Sequence, residues 1–371
     1  MTPHRIVVLG AGYAGQIVAK QAARRTAAQV TLVNTRDFFV ERVRLHQLAA
    51  GQPLCEVPIR DLLRGTGVEL VVDLATGIDA ARRTVQLAQA EQPLPYDTLV
   101  YALGSQADTD GVAGAAVHAH TVAGPAEALA LRDQLREAST VAVVGGGLTG
   151  IETAAELAEN RPELKVRLVT SGLLGGALSQ RGRRHLQRAF TRLGVDVQDH
   201  ADVTAVRDDG VLLADGRHVA ADTVVWTTGF RVPPLAAEAG FAVDRSGRML
   251  VDATLRSVSH PEVYGVGDAA AAHRPGGQEL RMACATGMPA ASRAVVAISD
   301  RLAGREPRSL RFRYVNQCIS LGRHDGLIQF VDADDAPREA VLTGLLAALY
   351  KEAIVRGALQ AQRTPALLMG A

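Results

Sequence analysis

A short apolar strand that breaks into a glycine-rich turn and then a helix occurs twice in this chain, and that duplication constrains the fold more than any other feature. The first copy reads Ile6 to Leu9, then Gly10-Ala11-Gly12-Tyr13-Ala14-Gly15, an alanine-rich helix to about Arg25, and Val30 to Val33. The second reads Val141 to Val144, then Gly145-Gly146-Gly147-Leu148-Thr149-Gly150, a helix through Glu159, and Val166 to Val169. In both, the period of the apolar residues switches from strand-like to helix-like at the turn, which predicts a βαβ start. Two copies about 135 residues apart are most simply an internal duplication of one nucleotide-binding unit.

A diphosphate needs backbone N–H groups at a helix N-terminus and close approach of the main chain, which side chains would block and glycines permit. Gly10, Gly12 and Gly15 meet that need, as do Gly145, Gly147 and Gly150. One such turn alone is weak evidence, since it can serve packing only; two in matching contexts are much stronger. The residue at the end of the second strand, about 20 positions on, normally holds the ribose hydroxyls with a carboxylate. Here the first copy offers Asn34 and the second Thr170, followed by Ser171. Asn34 can still pair with a ribose, but the charge-assisted bond is lost. With no carboxylate at Thr170 to repel a 2′-phosphate, both NADH and NADPH stay open; Arg181, Arg183 and Arg184 lie a few residues later and read more plainly as a solvated helix face.

Elsewhere, Val68 to Asp73 and Thr84 to Leu87 are expected strands, and Tyr96 to Ser105 is echoed after the second copy by Ala221 to Phe230, each an apolar strand ending in a small-residue turn. Residues 106–139 and 231–250 are richer in Gly, Ala, Pro and charge and read as crossings between domains. Beyond about residue 305 come short strands at Phe312 to Leu321 and Gly326 to Val331, then a helix expected from about Pro337 to Gln360. The fold class is therefore α/β, with two Rossmann-like domains and a small C-terminal α+β region. Its expected division is 1–110 with 225–304, 111–224, and 305–371. A formal net charge of +1 over 371 residues gives no global field to attract nucleic acid. The N-terminus shows no export signal and the three cysteines, Cys55, Cys284 and Cys318, form no disulfide framework, so a cytoplasmic location is expected.

Taken together, the two glycine turns, Ile151-Glu152, Thr227-Thr228-Gly229-Phe230 and Val263-Tyr264-Gly265-Val266-Gly267-Asp268-Ala269 resemble the two-dinucleotide flavoproteins, the pyridine nucleotide-disulfide oxidoreductase superfamily. The branch most resembled holds the type II NADH dehydrogenases and the apoptosis-inducing-factor-like reductases, over about residues 4–300. The resemblance implies FAD in the first unit and NADH or NADPH in the second. It implies that Gly10, Gly12, Tyr13, Ala14, Gly15, Asn34, Arg42, Ala75, Ala102, Gly104, Gly267 and Asp268 meet FAD. It places Gly145, Gly147, Leu148, Thr149, Gly150, Thr170 and Gly229 against the nicotinamide dinucleotide. Asp268 falls where family members hold the ribityl chain, although an Asp there also suits an ordinary helix cap. Arg42 to Leu45 matches a stretch in which Arg42 meets the flavin and His46 lies near its ring. Glu152 matches the glutamate beside the nicotinamide in type II NADH dehydrogenases, and as a charge near a helix N-terminus it has a plain structural use as well. His46 and Glu152 are thus the candidate catalytic groups, and no metal is expected.

Departures narrow the chemistry. Arg42 to Gly51 lacks the cysteine pair of disulfide reductases, and Cys318 resembles the second cysteine of sulfide:quinone oxidoreductases with no cysteine in 105–140 to match the first. Where type II dehydrogenases carry glutamines, this chain reads Ala285-Thr286-Gly287-Met288-Pro289-Ala290-Ala291, which puts a quinone acceptor in doubt. Leu342, Leu345, Leu346, Leu349 and Ile354, beside Lys351 and Arg356, make an apolar stripe suited to a peripheral membrane contact at the inner face, to core packing or to a homodimer. The expected function is an FAD-dependent NAD(P)H oxidoreductase passing electrons to a small-molecule acceptor. A flavin-bound sensor with slow turnover and a biosynthetic tailoring flavoenzyme are the alternatives.

Overall fold

A computed structural model describes residues 3–364; residues 1–2 at the start of the first expected domain and 365–371 at the end of the last lie outside the described residues. The chain begins with β1 (Arg5–Leu9), α1 (Tyr13–Arg25) and β2 (Gln29–Asn34), then α2 (Leu45–Ala49), β3 (Glu69–Val72) and β4 (Thr98–Tyr101). After β5 (Ala119–Thr121) and α3 (Pro125–Gln134) the pattern repeats as β6 (Thr140–Val144), α4 (Leu148–Asn160), β7 (Lys165–Val169), α5 (Gln180–Leu193), β8 (Asp196–Gln198) and β9 (Thr223–Trp226). β10 (Val263–Gly265) and the long α6 (Cys284–Leu302) follow, and β11 (Asn316–Ser320), β12 (Gly326–Val331), β13 (Pro337–Thr343) and α7 (Leu345–Arg363) complete the described elements.

The apolar strands pair in parallel as two five-stranded sheets, ordered β10-β4-β1-β2-β3 and β5-β9-β6-β7-β8. Their registers are the same: Leu9 faces Val33 and Tyr101, while Val144 faces Val169 and Trp226. Every residue of β4 and β9 is buried, as strands covered on both sides must be. The edge strand β10 of the first sheet is supplied from beyond the second, so the second unit is inserted into the first. β9 runs across residues 224 and 225 as a strand of the second sheet.

Residues 106–139 are more than a crossing, because β5 completes the second sheet and Ala128, Leu131 and Leu135 are buried around α3. The expected helix from Pro337 is in fact a strand and a shorter helix, since β13 pairs antiparallel with β12 and Gly344, at φ +72°, turns the chain before α7. The strand expected over Phe312 to Leu321 is confined to Asn316–Ser320.

α7 returns to the first unit. Its inner face carries Ala347, Lys351 and Val355, four residues apart. The buried Lys20 ammonium of α1 contacts the Gln362 carbonyl, and burial lowers that lysine to about 8. Leu345, Leu346, Leu349 and Ile354 form its outer face and are 49–66% exposed. Among the described residues no helix is long and apolar enough to cross a membrane.

Candidate functional site

In each glycine turn the three glycines have separable reasons. Gly10 and Gly145 have φ of +97° and +122°, and their N–H groups donate at 2.8 Å to the carbonyls of Val33 and Val169. A side chain there would be strained and would strike Ala102 in the first unit or Thr227 in the second. At Gly15 and Gly150 a Cβ would lie 1.8 and 1.9 Å from the carbonyl oxygens of Gly10 and Gly145, so these residues let α1 and α4 close onto their strands.

Gly12 and Gly147 need glycine for neither reason. Their φ values are −71° and −74°, open to any residue, and none of the described residues lies within 4 Å of a Cβ built on either. α1 and α4 carry no side-chain cap and no acidic residue in the first turn, so their leading N–H groups have no side-chain acceptor. An uncapped helix start beside an open glycine fits a diphosphate group, which brings both the acceptors and the negative charge.

At the ends of β2 and β7 the side chains turn back toward these loops. Asn34 Oδ1 accepts from Ala11 N at 2.9 Å and its Nδ2 donates to Arg36 O at 2.8 Å. The Thr170 hydroxyl takes the matching place, 2.4 Å from where a Cβ on Gly146 would stand. Both residues therefore adjoin the middle of the turn, with the Asn34 amide engaged at each end by main chain.

Distant segments converge beyond the first turn. Arg42 donates to the Ser105 carbonyl at 2.6 Å and stands 3.9 Å from Asp268 Oδ2, while the Ser105 hydroxyl donates to the same oxygen at 2.8 Å. Burial lowers the Arg42 guanidinium below its ordinary value, opposed by Asp268. Gly104 and Gly267, at φ +69° and +70°, shape the loops on either side. Ala102 is buried against Gly10 and Gly15, and Ala75 is buried in the core cluster that holds Leu9 and Val33. Gly229, at φ +76°, lies against Asp108, and the Arg42 guanidinium sits 5.8 Å above the Phe230 ring. Residues 229–230 thus stand at the seam between the two units.

A second cluster joins α2, α4 and β11 to α7. Glu152, 9% exposed, accepts from Ser320 N at 3.0 Å and contacts the Lys351 ammonium. Burial, then the neighbouring Arg44, lowers that ammonium to about 7. Glu352 accepts from Arg44 at 2.8 Å, Arg356 at 2.8 Å and Arg323 at 3.3 Å, and Arg44 foremost pulls its carboxyl down to about 2. His46, 4% exposed, is held neutral by burial and by Lys351, Arg323 and Arg44. Among the described residues its Nε2 and the Tyr13 hydroxyl are buried polar atoms with no hydrogen-bond partner, a state that a bound group would relieve.

Ser105, Lys351, Ser320 and the Arg44–Glu352 pair are absent from the residues that sequence reasoning singled out for this site. Lys351 read as a companion of the apolar stripe, and only the fold shows it turned inward. Burial also keeps the Cys284 and Cys318 thiols protonated, the latter pushed up to about 11, while Cys55 is exposed.

Known proteins resemble this chain over most of its length. The family described as pyridine nucleotide-disulphide oxidoreductase matches residues 4–297. An NADH dehydrogenase-like protein of Mycobacterium tuberculosis is 32% identical over 343 residues, 86% of each chain. A type II NADH:quinone oxidoreductase of Staphylococcus aureus is 27% identical over 379 residues, covering 91% of this chain and 92% of that one. The solved structure of NDH2 from Plasmodium falciparum in complex with NADH superposes with a TM-score of 0.82 at 15% identity, over 98% of both chains.

Proposed function

The chain belongs to the pyridine nucleotide-disulphide oxidoreductase family, and from that membership we propose that it is an FAD-dependent enzyme that oxidises NADH or NADPH and passes the electrons to a small-molecule acceptor. The observation that carries the reading is the pair of cradles, each open at its middle glycine and each closed at its outer two. FAD supplies a carrier that takes two electrons as a hydride and releases them to a different partner.

The chain's own part is placement. The first turn, from Gly10 to Gly15, would hold the FAD diphosphate, with Asn34 toward the ribose and Arg42 and Asp268 toward the ribityl and ring end. Ser105 fixes Asp268 through one oxygen and leaves the other for a hydroxyl donor. Gly145 to Gly150, with Thr170, would hold the nicotinamide dinucleotide, and Gly229 would border it at the seam. Two substrates held in one geometry react as a single unit, which supplies several kcal/mol of the barrier, about 7–11 in well-oriented intramolecular reactions. Glu152 and the neutral His46 flank Lys351 and would set the charge and the proton supply at the reacting end.

For the acceptor, the exposed stripe of α7 supports a quinone reached from a membrane surface. Against it, the first two turns of α6 offer only small residues and Met288 where an amide would grip a carbonyl. Quinones therefore head the screen without closing it. Anaerobic mixing of the purified yellow protein with NADH and with NADPH tests the core of the proposal. Bleaching of the flavin band within seconds is expected, and a flavin that stays oxidised for minutes with both would overturn it.

A further inference from the structure

We propose that the second nucleotide unit is built for NADPH in preference to NADH, with the 2′-phosphate of the ribose meeting Thr170, Ser171 and the guanidinium of Arg183; this rests on the reading of that unit as the nicotinamide dinucleotide site. The position that decides between the two dinucleotides is the end of the second strand, where a carboxylate binds a free 2′-hydroxyl and repels a 2′-phosphate. Thr170 is neutral and 8% exposed, and its hydroxyl lies against the turn at Gly146. Its backbone is fixed on both sides, its N–H donating to Gln198 O at 3.0 Å and its carbonyl accepting from Ala201 N at 2.9 Å.

The loop that follows, from Ser171 to Ser179, contains no acidic residue. It is also fixed rather than adaptable: Leu174 and Leu178 are buried with Leu186 of α5, and Ser179 N donates to Gln329 at 3.0 Å. The stem of the half-buried Arg183 runs along this loop, its Cγ 3.7 Å from where a Cβ on Gly175 would stand. No described carboxylate forms an ion pair with Arg181, Arg183 or Arg184, whereas Arg192, farther along the same helix, is held by Asp325 at 2.6 Å. His200 faces the loop from the end of β8. It sits at φ +52°, a conformation rare outside glycine, and its N–H donates to Gly172 O at 3.3 Å.

The carboxylates of Asp199 and Glu339, which reach this loop, are each engaged by main chain. Asp199 accepts from Leu174 N at 2.6 Å, and Glu339 accepts from Gln180 N and Arg181 N at 3.1 Å. Glu339 thereby occupies the start of α5, so an anion at this loop must be met by side chains. Arg183 combines a stem on the loop with a guanidinium that has no partner among the described residues, and its planar fork suits phosphate.

The test compares the two dinucleotides on the intact flavin-loaded protein by anaerobic stopped-flow reduction at fixed ionic strength. Wild type is expected to favour NADPH over NADH by tenfold or more in kcat/KM. Arg183→Ala should lower that ratio by about ten- to hundredfold, the range for one charge-assisted hydrogen bond. Ser171→Asp should lower it further by placing a carboxylate beside the phosphate. A wild-type ratio at or below one overturns the inference while leaving the oxidoreductase reading intact. A ratio that survives Arg183→Ala overturns the assignment to this loop. Failure of both dinucleotides to bleach the flavin would instead remove the reading on which it rests.

Discussion

Replacing Gly147 by alanine should separate folding from dinucleotide binding. The residue sits at φ −74° and ψ 177°, and a methyl group there meets none of the described residues within 4 Å. Alanine is a poorer N-cap than glycine, so a loss of about 0.5–1 kcal/mol is expected, a few degrees of melting temperature at most. Binding is a different matter. A phosphate oxygen must come within about 2.9 Å of the first-turn N–H groups to accept from them. The added methyl holds such an oxygen back by about 1 Å, which weakens one charge-assisted bond of about 1.5–3 kcal/mol and costs about ten- to hundredfold in affinity.

Gly150→Ala is the internal contrast. Its Cβ would lie 1.9 Å from Gly145 O and 2.7 Å from Thr227 Oγ1, so α4 must retreat from β6. Overpacking of this kind costs about 1–3 kcal/mol before any ligand is considered. Melting curves of both holoproteins, with stopped-flow flavin reduction by NADH and NADPH, read the two effects separately. Gly147→Ala should retain flavin and near-normal stability while kcat/KM for reduction falls by about ten- to hundredfold. Wild-type kcat/KM in that variant, or destabilisation equal to that of Gly150→Ala, would refute the argument that the open glycine marks the ligand.

Asp268→Ala removes the oxygens that Ser105 and Arg42 orient, and should weaken FAD retention on gel filtration by about tenfold or more; full retention would remove Asp268 from the site. Glu352→Gln tests the arginine cluster around α7. Its carboxyl is lowered to about 2 in the fold, so its contribution is complete above the ordinary glutamate value near 4.5 and is lost as pH falls through 2. Allowing for its partial solvation, the variant should be about 1–2 kcal/mol less stable in urea at pH 7, with the gap shrinking below about pH 4.5; a gap independent of pH would contradict this. Leu346→Glu with Leu349→Glu places charge on the outer face of α7 and should abolish co-sedimentation with anionic phospholipid vesicles. Wild type that ignores vesicles but forms dimers lost in the same variant would assign the stripe to self-association.

How far the sequence carried depended on whether a residue's reason lay nearby. Gly10 and Gly15 are separated by one turn, and the clash that excludes a side chain at Gly15 is with the Gly10 carbonyl, so the duplicated turns and their flanking elements could be read locally. β13 could not. Its residues are mostly exposed, and what makes Pro337–Thr343 a strand is pairing with β12, with Leu327 opposite Thr343 and Ile328 opposite Leu342. On its own the stretch merges with the apolar period of α7, and Gly344 is the sole local sign of a break. Arg42 and Asp268 were reached through resemblance, because the Ser105 bonds that join them link residues 63 and 163 positions apart.

Lys351 shows the same limit with a functional consequence. Its place four residues from both Ala347 and Val355 is visible only once the inner face of α7 is known. That inward turn brings an ammonium to Glu152, 199 positions earlier, one turn into the helix whose start is proposed to hold the dinucleotide. The outer face of α7 is an exposed apolar stripe, the surface proposed above to receive an acceptor from a membrane. A single carboxylate–ammonium contact therefore links the donor side of the site to that surface. Moving α7 away from α4 would take a carboxylate partner from a buried ammonium, so the contact ties the place of one helix to that of the other.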